Sequence, residues 1–132
     1  MISTKGRYAL RVMIDLAQQE KGAFIPLKDI AERQEISKKY LEIIAKDLVK
    51  ARLIKGSSGK GGGYTLCREP QEYSVGEILE VTEGTLATVA CLAPGAETCP
   101  RAKMCKTLPL WQELDGIVHD FFYSKTLKDL LQ

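Results

Sequence analysis

The segment Gly56-Ser57-Ser58-Gly59-Lys60-Gly61-Gly62-Gly63 places five glycines in eight residues, and no other stretch narrows the available folds as much. A helix cannot run through it, because each glycine loses the most backbone entropy on ordering and brings no side chain to pack. On either side lie Leu53-Ile54-Lys55 and Tyr64-Thr65-Leu66-Cys67, short runs with the apolar and aromatic content of strands. Two strands joined by a glycine loop make a β-hairpin. Glycines at its tip permit positive φ and close backbone approach, so the tip can enter a groove or lie on phosphates. A nucleotide phosphate loop is a poor fit, since the segment joins two strands and no Gly-Lys-Ser/Thr follows at a helix start.

Upstream, three amphipathic segments precede the hairpin. Ser3-Thr4 offer a helix N-cap, after which Tyr8, Ala9, Val12, Met13, Leu16 and Ala17 recur at helical spacing, with Lys21-Gly22 as the expected end. Phe24-Ile25-Pro26 reads as a short extended piece. Leu27 to Gln34 can form two turns that bury Leu27, Ile30 and Ala31. After a short turn, Ser37 is the next N-cap, and Leu41, Ile44, Ala45, Leu48 and Val49 share one face of a helix reaching about Arg52. Two helices separated by so short a turn, followed by a hairpin, predict a winged helix-turn-helix. At 100° per residue, the opposite face of the third helix carries Lys39, Ile43, Lys46 and Lys50.

Downstream, Ser74 caps a further helix, with Glu77 at N3 completing a capping box and Val75, Ile78, Leu79 and Val81 on the buried side. Gly84 ends it. The stretch to Leu108 is longer than the usual limit of about 12 to 15 residues for an ordinary connection, and Pro94, Gly95 and Pro100 keep it irregular. It contains Cys91, Cys99 and Cys105. From Leu110 an apolar stripe of Leu110, Trp111, Leu114, Ile117, Val118, Phe121 and Phe122 is too broad for one small domain to cover. Its simplest cover is the same helix of a second copy, which would set two reading heads along a duplex. Leu127, Leu130 and Leu131 would close the arm. The expected class is therefore mainly α with a small β-hairpin wing. The expected organisation is a winged helix-turn-helix DNA-binding domain over 1–70, a helix and cysteine-bearing loop over 71–108, and a long C-terminal dimerisation helix with its arm over 109–132.

Charge supports a nucleic-acid partner for the first half. Residues 1–68 hold 14 Lys+Arg against 7 Asp+Glu, whereas residues 69–132 hold 5 against 10. No stretch is apolar enough to span a membrane and no signal-peptide pattern is present, so a cytoplasmic location is expected. In that compartment four cysteines are better read as thiols, metal ligands or redox sensors than as a disulfide scaffold. With one histidine and no nucleophile beside a visible base, an enzyme is not expected.

Ser3-Thr4-Lys5-Gly6-Arg7-Tyr8-Ala9, Ile36-Ser37 with Tyr40-Leu41-Glu42, the wing ending Gly61-Gly62-Gly63-Tyr64, and Val75-Gly76-Glu77-Ile78 together resemble the IscR, NsrR and CymR type of bacterial winged-helix transcriptional regulator. The likeness runs from Ile2 to about Leu131. It implies a dimeric DNA-binding regulator, most simply a repressor, with the helix from Ser37 in the major groove and the wing on the minor groove or backbone. It also implies that Cys91, Cys99 and Cys105 stand where cluster-binding members carry three cysteines. The chain departs from that pattern in four places, the first being an interval between Cys91 and Cys99 wider than is typical of such members. Leu108 occupies the position of the histidine in IscR relatives, Arg7 that of the aspartate in nitric-oxide-sensing relatives, and Ser58 that of a wing-tip arginine.

At the DNA site, Ser37, Lys38, Lys39 and Tyr40 lie at the start of the recognition helix, Ile43 can meet a thymine methyl, and Lys5, Arg7, Lys46 and Lys60, with Ser58 beside it, are expected on phosphates. At the thiol site, three soft ligands suit an iron–sulfur cluster, either 2Fe-2S or 4Fe-4S. Their spacing does not match the CxxC pairs usual for zinc. The fourth ligand is open among Cys67, Glu97, His119, a partner-subunit residue or a small thiol. Arg101, Lys103 and Lys106 interleave the cysteines and would lower their pKa. Two other readings stay open: a clusterless regulator of cysteine or sulfur metabolism under a metabolic partner protein or thiol oxidation, and a small electron-transfer iron–sulfur protein.

Overall fold

A computed structural model describes residues 2–132. Five α-helices and one hairpin follow in order: α1 (Thr4–Ala17), α2 (Leu27–Gln34), α3 (Lys38–Lys50), β1 (Ile54–Ser57), β2 (Gly63–Leu66), α4 (Val75–Glu83) and α5 (Leu108–Ser124). Each predicted cap is made. Ser3 Oγ accepts from the Gly6 N–H at 3.1 Å, Ser37 Oγ from the Tyr40 N–H at 3.1 Å, and Ser74 and Glu77 form the reciprocal capping box.

Two helix ends fall short of expectation for local reasons. α1 stops at Ala17 rather than near Lys21, because the Gln19 side-chain amide donates to the Asp15 carbonyl that a further turn would have used. α3 stops at Lys50, where Arg52 takes a φ of 62° and the Leu53 N–H bonds back to the Leu48 carbonyl at 3.0 Å, closing the end in Schellman fashion. The cysteine-bearing segment contains one short 3-10 turn, Ala90–Leu92, and is otherwise irregular.

The hairpin is antiparallel and pairs Ile54 with Leu66 through Ser57 with Gly63, so the open loop is shorter than the glycine run. Ile25 adds an isolated bridge to Tyr64, with backbone bonds of 2.8 and 2.9 Å. That contact explains one glycine. Gly63 has a φ of 147°, and a Cβ there would meet the Ile25 backbone at 2.3 Å, so its bareness serves an internal packing contact. Gly59 and Gly61 also have positive φ, but face open space.

One core runs through the molecule. Ala9, Val12 and Met13 of α1, Ile30 of α2, Leu41, Ile44 and Leu48 of α3, Ile54 of β1, and Tyr73, Ile78 and Leu127 are all essentially solvent-free and form one cluster. α1 and α4 make the most extensive helix contact. Below α1, the buried Asp15 carboxylate takes two hydrogen bonds from Arg33 and one from Gln34, which ties α1 to α2 without leaving a buried charge unpaired. α5 packs on α4 through a contact that needs Gly76, since a Cβ there would lie 2.4 Å from the Tyr123 ring. After α5 the chain returns to the reading head: Val75 N–H bonds to the Lys125 carbonyl at 2.8 Å, and Leu127 N–H to the Tyr73 carbonyl at 3.0 Å.

Candidate nucleic-acid interface and thiol site

The outer face of α3 is presented as the sequence predicts. Ser37, Lys38, Lys39, Lys46 and Lys50 are exposed, and Ile43, at 52% exposure, is an uncovered apolar side chain between Lys39 and Lys46 on the same face. Tyr40 differs: it is half-buried, packing edge-on against Tyr8 with ring centroids 5.6 Å apart. Arg11 lies 5.2 Å over the other aromatic, Tyr8, and is anchored by the side-chain and main-chain oxygens of Gln34. These contacts brace the start of α3, and the sequence discloses Tyr8 only as an apolar-face position of a helix.

The cations assigned to phosphates are not equivalent. Lys5 Nζ sits 2.6 Å from Asp47 Oδ2, binding α1 to α3 and leaving its charge partly compensated. Arg7 is exposed and donates to Thr4 Oγ1 at 3.2 Å. Ser58 and Lys60 are exposed at the wing tip.

Between the two ends of the cysteine-bearing loop, Cys91, Cys99 and Cys105 line one pocket of about 230 Å³, together with Glu97, Ala102 and Leu108. The pocket lies against the start of α5, whose first residue, Leu108, is in its wall. Among the described residues, no three His, Cys, Asp or Glu side chains are gathered closely enough to hold a metal ion. Cys105 Sγ lies 3.4 Å from Thr107 Oγ1, and that hydroxyl, backed by backbone N–H groups and more weakly by Arg101, holds the thiol below its ordinary range. Of the fourth-ligand candidates, Glu97 lines the pocket. Cys67 opens instead onto a separate cleft of about 490 Å³ between the end of α1 and the wing. His119 stacks on Tyr123 at 4.5 Å and approaches Asp120 on the flank of α5.

The loop is fastened at its entry on both sides, by residues without a sequence signature. Glu83, the last residue of α4, accepts from the Ser3 N–H at 2.9 Å and the Ser3 hydroxyl at 2.6 Å, which seats the start of α1. Thr88 donates its N–H to Asp115 of α5 at 2.7 Å and its hydroxyl to the same oxygen. On α5 itself, Leu110, Leu114, Ile117 and Phe121 are 57, 38, 60 and 55% exposed, one stripe at helical spacing. Among the described residues no helix is long and apolar enough to cross a membrane.

The family described as Rrf2, iron-dependent transcriptional regulator, matches residues 2–132. The chain is 35% identical over 130 residues to the HTH-type transcriptional regulator IscR of Pectobacterium atrosepticum, covering 98% of this chain and 78% of that protein. Among solved structures, T. potens IscR is 37% identical with a TM-score of 0.79, covering 99% of this chain and 85% of that one. CymR, the global cysteine regulator of B. subtilis, is 36% identical with the same TM-score, covering 99% and 95%. A regulator family of this kind implies DNA binding, which is the partner that the exposed face of α3 and the wing anticipate. With a helix-turn-helix, a wing and a C-terminal helix matched over the whole described length, the chain belongs to the Rrf2 family of transcriptional regulators.

Proposed function

We propose that this regulator acts as a homodimer on double-stranded DNA, most simply as a repressor, and that an iron–sulfur cluster held by Cys91, Cys99 and Cys105 controls its binding. The observation that carries the reading is that three cysteines spread over fifteen residues line one pocket beside α5. Three thiolates suit a 2Fe-2S or 4Fe-4S cluster, and Glu97 is the pocket's own candidate for the remaining position. A cluster bound there would supply a ligation state that answers to iron supply, oxidants or nitric oxide. The chain's own residues supply the transmission. Glu83 joins the loop entry to the cap of α1, Lys5 and Asp47 join α1 to α3, and Thr88 joins the loop to α5. A change in the loop would thus reach both the reading helix and the dimer helix, shifting the fit of two heads to two half-sites.

In this reading Ser37, Lys38, Lys39 and Ile43 meet base edges, Tyr40 supports them, and Arg7, Lys46, Ser58 and Lys60 meet the backbone. The exposed stripe of α5 is covered by its two-fold mate. The test is an absorption spectrum of anaerobically purified protein with iron and sulfide counted, repeated on Cys99→Ala, followed by operator binding of loaded and stripped dimers at fixed salt. Matching iron and sulfide that vanish in the variant, with different affinities for the two forms, support the reading; equal affinities refute the coupling.

A second reading is favoured by Leu108, an apolar residue lining the thiol pocket, and by the likeness to CymR. In it the protein is a clusterless regulator of cysteine or sulfur metabolism, governed by thiol oxidation or a partner protein. A colourless protein, even after anaerobic reconstitution, would decide for it.

A further inference from the structure

We infer that Tyr73 is the positioning residue of the wing: its buried hydroxyl fixes the angle at which the hairpin leaves the reading head, and thereby sets what the wing adds to DNA binding. This rests on the DNA-binding reading above.

The geometry is confined to one oxygen. Tyr73 Oη donates to the Leu53 carbonyl at 2.5 Å and accepts the Cys67 and Arg68 N–H groups at 2.9 and 3.0 Å. Leu53 immediately precedes β1, and Cys67 and Arg68 immediately follow β2. One side chain therefore holds both roots of the hairpin, at the place where direct strand pairing has thinned to a single Cys67 to Leu53 bond of 3.4 Å. A phenol has one donor and two acceptor sites, and all are spent here. The ring is fully buried in the core, with the Arg68 guanidinium 4.9 Å above it, and burial raises the phenol above its usual range, so it stays a donor. The Tyr73 carbonyl is in turn taken by Leu127, so the residue is anchored from behind by the segment that follows α5.

The hairpin is also held by the Ile25–Tyr64 bridge on β2 and by Ile54 of β1, buried in the core. Without the Tyr73 hydroxyl these contacts remain, and the exposed part of the hairpin beyond them can pivot. Because Tyr73 is solvent-free, it cannot touch DNA, and any effect on binding must pass through the wing.

Tyr73→Phe keeps the ring and removes only the three hydrogen bonds. In free protein, amide exchange at Cys67 and Arg68 is expected to rise roughly tenfold while the amides of α3 are unchanged. On a random-sequence duplex, Lys60→Ala should lower the salt slope by about one in the otherwise native protein and by much less in the Tyr73→Phe background, where a loosened wing no longer presents Lys60. Additive effects of the two substitutions, or unchanged exchange at Cys67 and Arg68, would overturn the assignment. Should Tyr73→Phe not fold, the native protein decides alone, since exchange at these two amides as fast as at Gly59 and Lys60 would equally overturn it. A native protein that binds no duplex refutes the DNA-binding reading, while the exchange experiment still reports on Tyr73.

Discussion

Replacing Ile117 by alanine tests the proposed dimer where its energetics can be worked from exposure. Ile117 is 60% exposed at the middle of the α5 stripe, so in one copy its side chain contributes little to the fold. Full burial of an isoleucine is worth roughly 1.5–3 kcal/mol. The exposed fraction, less the methyl that alanine retains, leaves about 1 kcal/mol per copy for an interface to recover. A two-fold axis presents the residue twice, giving about 2 kcal/mol, or about 30-fold in the dimer dissociation constant. Sedimentation equilibrium of Ile117→Ala measures it. The matched control is Ile43→Ala, because Ile43 is comparably exposed, at 52%, but lies on α3. Equal dissociation constants for the native protein and Ile117→Ala, or an equal loss in the Ile43 control, would refute the assignment of the α5 stripe to a two-fold interface.

Lys39→Ala should change the preference among duplex sequences by about 1–3 kcal/mol at one position, whereas Lys46→Ala should weaken all sequences alike, as competition binding on cognate and random duplexes would show. Tyr123, pushed up to about 12 by burial and by the nearby Glu80 carboxylate, titrates above an unfolded tyrosine near 10. It therefore adds stability that is complete below about pH 10 and is lost as pH rises toward 12. Tyr123→Phe should flatten that part of the alkaline denaturation curve. Gly63→Ala should cost about 1–3 kcal/mol in denaturant unfolding, because the new methyl meets the Ile25 backbone and not a movable side chain.

What the sequence discloses here is local or periodic. Ser37, Ser74 and Glu77 announce their caps because a helix start needs an acceptor at a fixed offset, and Leu41, Ile44 and Leu48 announce a buried face by recurring at helical spacing. The hairpin follows from its glycines. The residues that join elements are silent, because nothing repeats in them: Tyr73 reaches back 20 positions to Leu53, and Glu83 reaches back 80 to Ser3. Lys5 has a partner that the sequence does not disclose. In a basic N-terminal run it reads as a phosphate contact, and only the fold reveals that Asp47 already holds it. The three cysteines could be read as a group from spacing, but their shared pocket, with Leu108 in its wall, depends on how an irregular loop settles against α5.

The solvent-free position of Leu127 bears on how the protein is made. Its contacts lie with Tyr73 and a core begun at Ala9, so during synthesis the reading head lacks this core residue until the segment beyond α5 has left the ribosome. The nascent helix-turn-helix would wait in a loosened state, and closure would depend on a contact of very large sequence separation, the kind that forms late. A core built this way closes only once α5 and the segment after it have been made.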